Sequence, residues 1–328
     1  MTTRRKLLVA LGTGTLAAAF SSLAQQQAKV WHIGYLSPRA GIDSFADAFL
    51  FQGLRDLGYV EGQNIVIEWR FASGNTDRLA ELAAELVRLN VDCILAGGAN
   101  SALAAKRVTS TIPIVMGNTD DDPVRLGLVA SLARPGGNVT GFINMGSQLA
   151  GKRLELLKET VPAASRVAML WDPNSRPAAG HVGEIARTAR VLGVTLQSLE
   201  VRKPDDLEHA FLVAGEMRAE ALMVVGLGSV NVYPGRVVSL ALKARLPAMY
   251  TNSTFVLRGG LISYGGQVDA TWRNAASYVD RILKGASPAD LPVGRPTKFE
   301  LFINLKTAKQ IGVTIPESVL QRADRVIE

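Results

Sequence analysis

Residues Asp121 to Gly141 read DDPVRLGLVASLARPGGNVTG, and the reading of this stretch decides the fold. The apolar run before it, Ile112-Pro113-Ile114-Val115-Met116-Gly117, has strand length, and Asn118-Thr119-Asp120-Asp121-Asp122 forms a polar loop at its carboxyl end. Pro123 suits the first turn of a helix, because its φ is already helical and its missing N–H would have no partner there. Arg134-Pro135-Gly136-Gly137-Asn138 then stops that helix, and Val139-Thr140-Gly141 extends the chain again. A buried strand, a polar loop and an abrupt exit predict the lip of a ligand cleft and a crossover to a second lobe.

Upstream, Trp31–Leu36, Asn64–Phe71 and Val91–Ala96 read as strands. Helical spacing over Asp43–Leu57, a capped helix from Asn75 to Leu89 and a helix over Ser101–Val108 separate them. Such alternation implies a parallel sheet covered by helices on both faces, with ligands at the carboxyl ends of its strands. Downstream the rhythm restarts, with strands at Arg166–Trp171, Val194–Leu199, Ala221–Val225, Pro247–Tyr250 and Leu261–Gly265 and helices between them. A helix from Thr271 to Leu283, an extended Phe299–Asn304 and a helix from Leu305 to Ile311 follow. At 328 residues and 48% hydrophobic content the chain can fill two α/β lobes facing one another.

The first residues read as a secretory signal: Arg4-Arg5-Lys6, an apolar Leu7–Phe20, then Ser22-Leu23-Ala24, with cleavage after Ala24. The paired arginines also fit a twin-arginine route. The formal net charge of +7 falls by three when this leader is removed, and no basic cluster is interleaved with aromatics, so no nucleic-acid partner is expected. The one cysteine, Cys93, lies in an apolar strand and reads as a buried hydrophobe.

Three histidines, His32, His181 and His209, stand at no metal-ligand spacing. Neither a G-x-S-x-G elbow, a P-loop nor G-x-G-x-x-G is present. No catalytic set, cofactor or metal is therefore expected. Asp120, Asp121 and Asp122 offer carboxylates either to a divalent ion or to a helix N-terminus, and capping is preferred because a hard cation wants six or more oxygens. Candidate ligand contacts are the polar residues at strand ends: Ser37, Asn100, Ser101, Asn118 and Asp120 from the first lobe, and Asp172, Asn174, Ser229, Asn252 and Tyr264 from the second. Each is also a common turn or cap residue type or position. Tyr35, Tyr250 and Phe255 can stack on a ligand ring or lie in the core.

Several motifs carry a resemblance. They are Gly53-Leu54-Arg55-Asp56-Leu57-Gly58-Tyr59-Val60-Glu61-Gly62-Gln63-Asn64, Ile112-Pro113-Ile114-Val115, Asp122-Pro123-Val124 and Leu132-Ala133-Arg134-Pro135-Gly136-Gly137-Asn138-Val139-Thr140-Gly141. Further on stand Lys152-Arg153-Leu154-Glu155-Leu156-Leu157-Lys158-Glu159, Gly259-Gly260-Leu261-Ile262-Ser263-Tyr264-Gly265, Ala289-Asp290-Leu291-Pro292-Val293 and Asn304-Leu305-Lys306-Thr307-Ala308. In this order they resemble the periplasmic substrate-binding proteins of ABC transporters, in the group that includes the tryptophan/tyrosine-type binding proteins.

The resemblance implies a type I periplasmic binding fold, two doubly wound parallel-sheet lobes joined by three crossovers near Gly141–Gly146, Gly265–Asp269 and Ile303–Leu305. The lobes would comprise residues 25–143 with 268–303, and 144–267 with 304–328, after a signal peptide at 1–24. It implies a monomeric periplasmic receptor that captures a small organic solute, an amino acid or related carboxylate, by hinge closure and delivers it to ABC permease subunits in the inner membrane. The alternatives are an exported enzyme on a similar scaffold, such as a glycosyl transferase, and a ligand-sensing module for a membrane signalling partner.

Overall fold

The structure, a computed structural model, describes residues 29–42, 46–119, 122–175, 178–226, 228–231 and 233–328. The signal-peptide reading (1–24) and Asp120 lie outside the described residues.

The first sheet contains β1 (Trp31–Ser37), β2 (Ile65–Phe71), β3 (Cys93–Ala96), β4 (Ile114–Thr119) and β5 (Val139–Ile143), in the order β2-β1-β3-β4-β5. All its pairings are parallel, with Ile33 opposite Ile67 on one side and Cys93 on the other. The strands are apolar on both faces because helices cover both. Ile33, Tyr35 and Leu95 pack with Leu50 and Leu54 of helix Ala46–Asp56 and with Trp272 and Val279 of helix Val268–Leu283. Leu36, Ile94 and Met116 face Leu82 and Leu86 of helix Leu79–Arg88 and Ala102 and Ala105 of helix Ala99–Val108.

The second sheet runs β12-β11-β10-β9-β8-β6-β7, formed by β6 (Arg166–Trp171), β7 (Thr195–Glu200), β8 (Ala221–Val224), β9 (Ala248–Tyr250), β10 (Ile262–Gly266), β11 (Phe299–Asn304) and β12 (Arg325–Ile327). It is parallel from β7 to β10, while β11 runs antiparallel to β10. Two doubly wound lobes result, each with its own cores.

Two sequence expectations need correction. The segment after Pro123 is a single turn, not a helix. Leu126 N–H donates to the Asp122 carbonyl at 3.0 Å and Gly127 N–H to that of Val124 at 2.9 Å, and then Gly127 takes φ +70°. Lys106 Nζ donates to the carbonyls of Gly127 and Leu128 at 2.6 and 3.0 Å, acceptors that a continuing helix would have used internally. Asp122 Oδ1 accepts from Val124 N–H at 2.9 Å, which closes a local turn rather than the helix cap expected of the acidic cluster.

The third crossover also lies earlier than Ile303–Leu305. Phe299 to Ile303 pair with Gly266 to Ile262, and Leu301 and Ile303 belong to the second lobe's core. The first-lobe core keeps Leu291 and Val293. The chain therefore leaves the first lobe after Gly294. There it runs beside β5, with Ile143 N–H donating to the Gly294 carbonyl at 3.0 Å and Gly294 N–H to that of Gly141 at 2.8 Å. The cause is the unpaired edge of β10, which takes up the extended Phe299–Asn304.

The Pro135-Gly136-Gly137-Asn138 turn is tied down by its own side chains. Asn138 Nδ2 donates to the carbonyls of Thr109 and Ile112 at 3.1 and 2.9 Å. Thr140 Oγ1 donates to the Leu291 carbonyl at 2.6 Å, joining the exit strand to the returning chain. Gly141, at φ +130°, is required by close approach, since a Cβ there would lie 2.2 Å from the Met116 carbonyl oxygen.

Candidate ligand cleft

Parallel strands in both lobes deliver their carboxyl ends, and the loops beyond them, to the same seam. On the first wall Ser37 ends β1 fully buried, and its Oγ accepts from Arg39 N–H and Nε, both at 3.3 Å. Arg39 also donates to Tyr35 Oη at 2.5 Å. Beside them β3 ends in Gly97-Gly98, where a Cβ on Gly97 would stand 3.1 Å from Ser37 Oγ. Gly98, at φ +148°, is the N-cap of helix Ala99–Val108. The helix thus starts two residues before Ser101, so Ser101 is not a cap. Its hydroxyl is completely buried and has no hydrogen-bond partner, and the same holds for Thr119 Oγ1 at the end of β4. Asn100 is half-buried in the same first turn. Asn118 belongs to β4 rather than to the polar loop expected, and its side chain lies outside the described residues.

On the second wall Asp172 is buried after β6, with Oδ1 accepting from Asn174 N–H at 2.8 Å. Ser175 is buried next to it. After β9, Asn252 Oδ1 accepts from Thr254 N–H at 3.0 Å and so caps the short helix Ser253–Val256, while its Nδ2 donates to Thr251 Oγ1 at 3.4 Å. Tyr264 turns its ring towards Phe299, 6.2 Å between centroids, and its carbonyl accepts from Arg153. Ser229 lies in the 3₁₀ turn Gly228–Asn231, its side chain outside the described residues. Of the aromatic candidates, Tyr35, Tyr250 and Phe255 are all core, and burial pushes the Tyr250 hydroxyl's pKa up.

The two walls meet at an open cleft lined by Ser73, Asn75 and Asp77 of the first lobe and Asn174, Arg202 and Lys203 of the second. Among the sequence candidates whose side chains are described, Asn174 lines this opening. Sequence reasoning missed Arg39, Thr119, Ser175, Thr251 and Arg153. Arg153 was legible in one respect: it shares a helical face with Leu156, Leu157 and Thr160, all buried.

Among the described residues no group of three or more His, Cys, Asp or Glu side chains could hold a metal, and no helix is long and apolar enough to cross a membrane. Cys93 is fully buried and its thiol is pushed up to about 12 by that burial, with Asp92 adding to the shift.

Two doubly wound lobes with polar strand ends at a shared seam define a bilobal solute-binding protein. The chain belongs to the family of ABC transporter substrate binding proteins, whose model matches residues 42–327. It is 26% identical over 282 residues to a tyrosine-binding protein of Clostridioides difficile (strain R20291), a match covering 86% of this chain and 80% of that one. A conserved domain protein of Vibrio cholerae superposes with a TM-score of 0.81 at 28% identity, covering 91% of this chain and 100% of the other. The ABC domain in complex with L-Trp from Streptococcus pneumonia gives 0.80 at 27% identity, with the same coverage. The chain is thus the solute-binding component of an ABC transport system.

Proposed function

We propose that this receptor binds a small amino acid or related carboxylate, with an aromatic amino acid as the first class to test. The observation that carries the proposal is the pair of fully buried, unpartnered hydroxyls of Ser101 and Thr119 on the first wall. Buried polar groups normally have partners, so two at one seam point to a polar guest. Ser101 stands in the first turn of a ten-residue helix, where backbone N–H groups and the helix dipole favour a carboxylate. The names of the tyrosine-binding relative and of the L-Trp complex support an aromatic side chain.

In this reading the ten strand-end candidates contribute the contacts, and the lobes close as bodies of residues 25–143 with 268–294 and 144–267 with 295–328. The receptor acts as a monomer, returns its solute unaltered and passes it to inner-membrane permease subunits. Residues 1–24 leave on export, so the exported protein should begin at Gln25 on N-terminal sequencing; an uncleaved cytoplasmic product would overturn export.

Calorimetric titration of the chain from Gln25 with L-tryptophan, L-tyrosine, benzoate and L-alanine tests the function. The expected result is one site per chain for at least one aromatic carboxylate, with stabilisation of about 2.7 kcal/mol at a hundredfold excess over Kd. No heat and no thermal shift with any aromatic carboxylate would refute the ligand class, and chemical conversion beyond one equivalent would refute binding without turnover.

A further inference from the structure

Arg153 is a cation buried within the second lobe. It lies in the first turn of helix Ala150–Thr160, where the helix dipole disfavours positive charge, and its exposure is 1%. A guanidinium is kept in such a place only if its donors are used. Nε donates to the Tyr264 carbonyl at 2.6 Å, Nη1 to that of Gly146 at 2.9 Å and Nη2 to that of Thr251 at 3.1 Å.

These acceptors come from three distinct places. Gly146 belongs to the first crossover. Tyr264 lies on β10, just ahead of the second crossover. Thr251 begins the loop that carries Asn252. Room for the contact comes from Gly265, where a Cβ would stand 2.3 Å from the Thr251 carbonyl oxygen and 3.6 Å from Arg153 Nη2. The planar fork of arginine fixes three directions at once, which a lysine ammonium on a flexible stem cannot do.

We propose that Arg153 is a positioning residue for solute binding: it holds the first two crossovers and the Thr251–Asn252 loop as one unit, so that seating a ligand on that loop is coupled to the angle between the lobes. The proposal rests on the reading of the seam as the solute site.

The test uses Arg153→Lys and Arg153→Gln in the full mature chain, with exposed label sites Glu81→Cys and Glu216→Cys, one on each lobe; the native Cys93 is buried and takes no label. Titration with L-tryptophan and L-tyrosine gives affinity, distance distributions between the labels give the lobe angle with and without ligand, and melting gives fold integrity. The expected result for Arg153→Lys is a folded protein with a lowered melting temperature, a broadened distance distribution in the free protein and affinity weakened about fivefold or more. Unchanged distances and unchanged affinity would overturn the proposal, as would a fall in melting temperature with both of those retained. If Arg153→Gln fails to fold, Arg153→Lys carries the test. If the wild type binds neither probe, the aromatic-ligand reading fails, while the distance distribution of the free Arg153→Lys protein still decides the role of Arg153.

Discussion

Ser101→Ala separates a ligand contact from a structural hydroxyl by the sign of two measurements. As the third residue of helix Ala99–Val108, with Gly98 at the N-cap, Ser101 contributes no cap that the substitution could remove. Its Oγ is buried without a partner, so the change to alanine deletes an unsatisfied polar atom. Such an atom costs about 1–3 kcal/mol when left unpaired, and alanine is also the better helix former by a few tenths of a kcal/mol. The free protein should therefore be as stable as wild type or up to about 1 kcal/mol more stable, after allowance for the small void left by the oxygen. With a carboxylate in place the hydroxyl gains its partner, and losing a hydrogen bond to a charged group costs about 1.5–3 kcal/mol, or roughly tenfold to 150-fold in Kd. Urea melts of the free protein and calorimetric titration with whichever aromatic carboxylate binds wild type read the two numbers. A loss of free-protein stability near 1 kcal/mol with affinity intact would refute the reasoning, because the hydroxyl would then serve the fold and not the guest.

Gly141→Ala should destabilise the chain by at least about 3 kcal/mol, because it combines φ +130° with a Cβ 2.2 Å from the Met116 carbonyl oxygen; a urea midpoint equal to wild type would contradict this. Glu220 is held down to about 2 by the N–H groups of Ser165 and Arg166 and by the Ser165 hydroxyl, so its folded pKa lies below the ordinary 4.5. Its contribution to stability is complete above the ordinary value and is lost as pH falls from about 4.5 to about 2, so Glu220→Gln should flatten the acid limb of melting temperature against pH, and identical limbs would reject the assignment. Burial of Cys93 predicts no labelling by a thiol reagent at pH 8 in the native state and one equivalent in urea; native labelling at the rate of a free thiol would show that the first lobe opens.

Most strands were legible because both of their faces are apolar, as in Cys93–Ala96 and Ala221–Val224, where every residue is buried. Periodicity could not say which sheet a strand joins. Phe299–Asn304 reads as extended from its own residues, but its pairing with β10 is a long-range fact, and the third crossover was misplaced for that reason. The helix after Pro123 failed because the Lys106 side chain, distant in sequence, takes the carbonyls of Gly127 and Leu128. At the site, the strand-end rule found the buried Ser37, Ser101 and Asp172. It could not tell a cap from a contact at Asn252, nor core from cleft at Tyr35 and Tyr250. Arg153 escaped because arginine in a helix reads as surface, and its burial depends on carbonyls of Gly146, Thr251 and Tyr264.

Several of the places where local rules break stand at the seam between the lobes. Away from it, each lobe follows the ordinary pattern, with apolar strands under helices and few polar groups inside. At the seam stand a buried arginine, two unpartnered hydroxyls, Gly98 at φ +148° and Met145, a non-glycine residue at φ +57° in the first crossover. The two hydroxyls make no bond that holds a lobe together, whereas Arg153 joins three segments through the carbonyls of Tyr264, Gly146 and Thr251. Departures from local consistency that stability does not require are expected where a protein binds or moves. Substitutions at Ser101 and Thr119 should therefore act on affinity more than on unfolding, whereas substitutions at Gly141 act on the fold, because that residue serves the packing of β5 on β4.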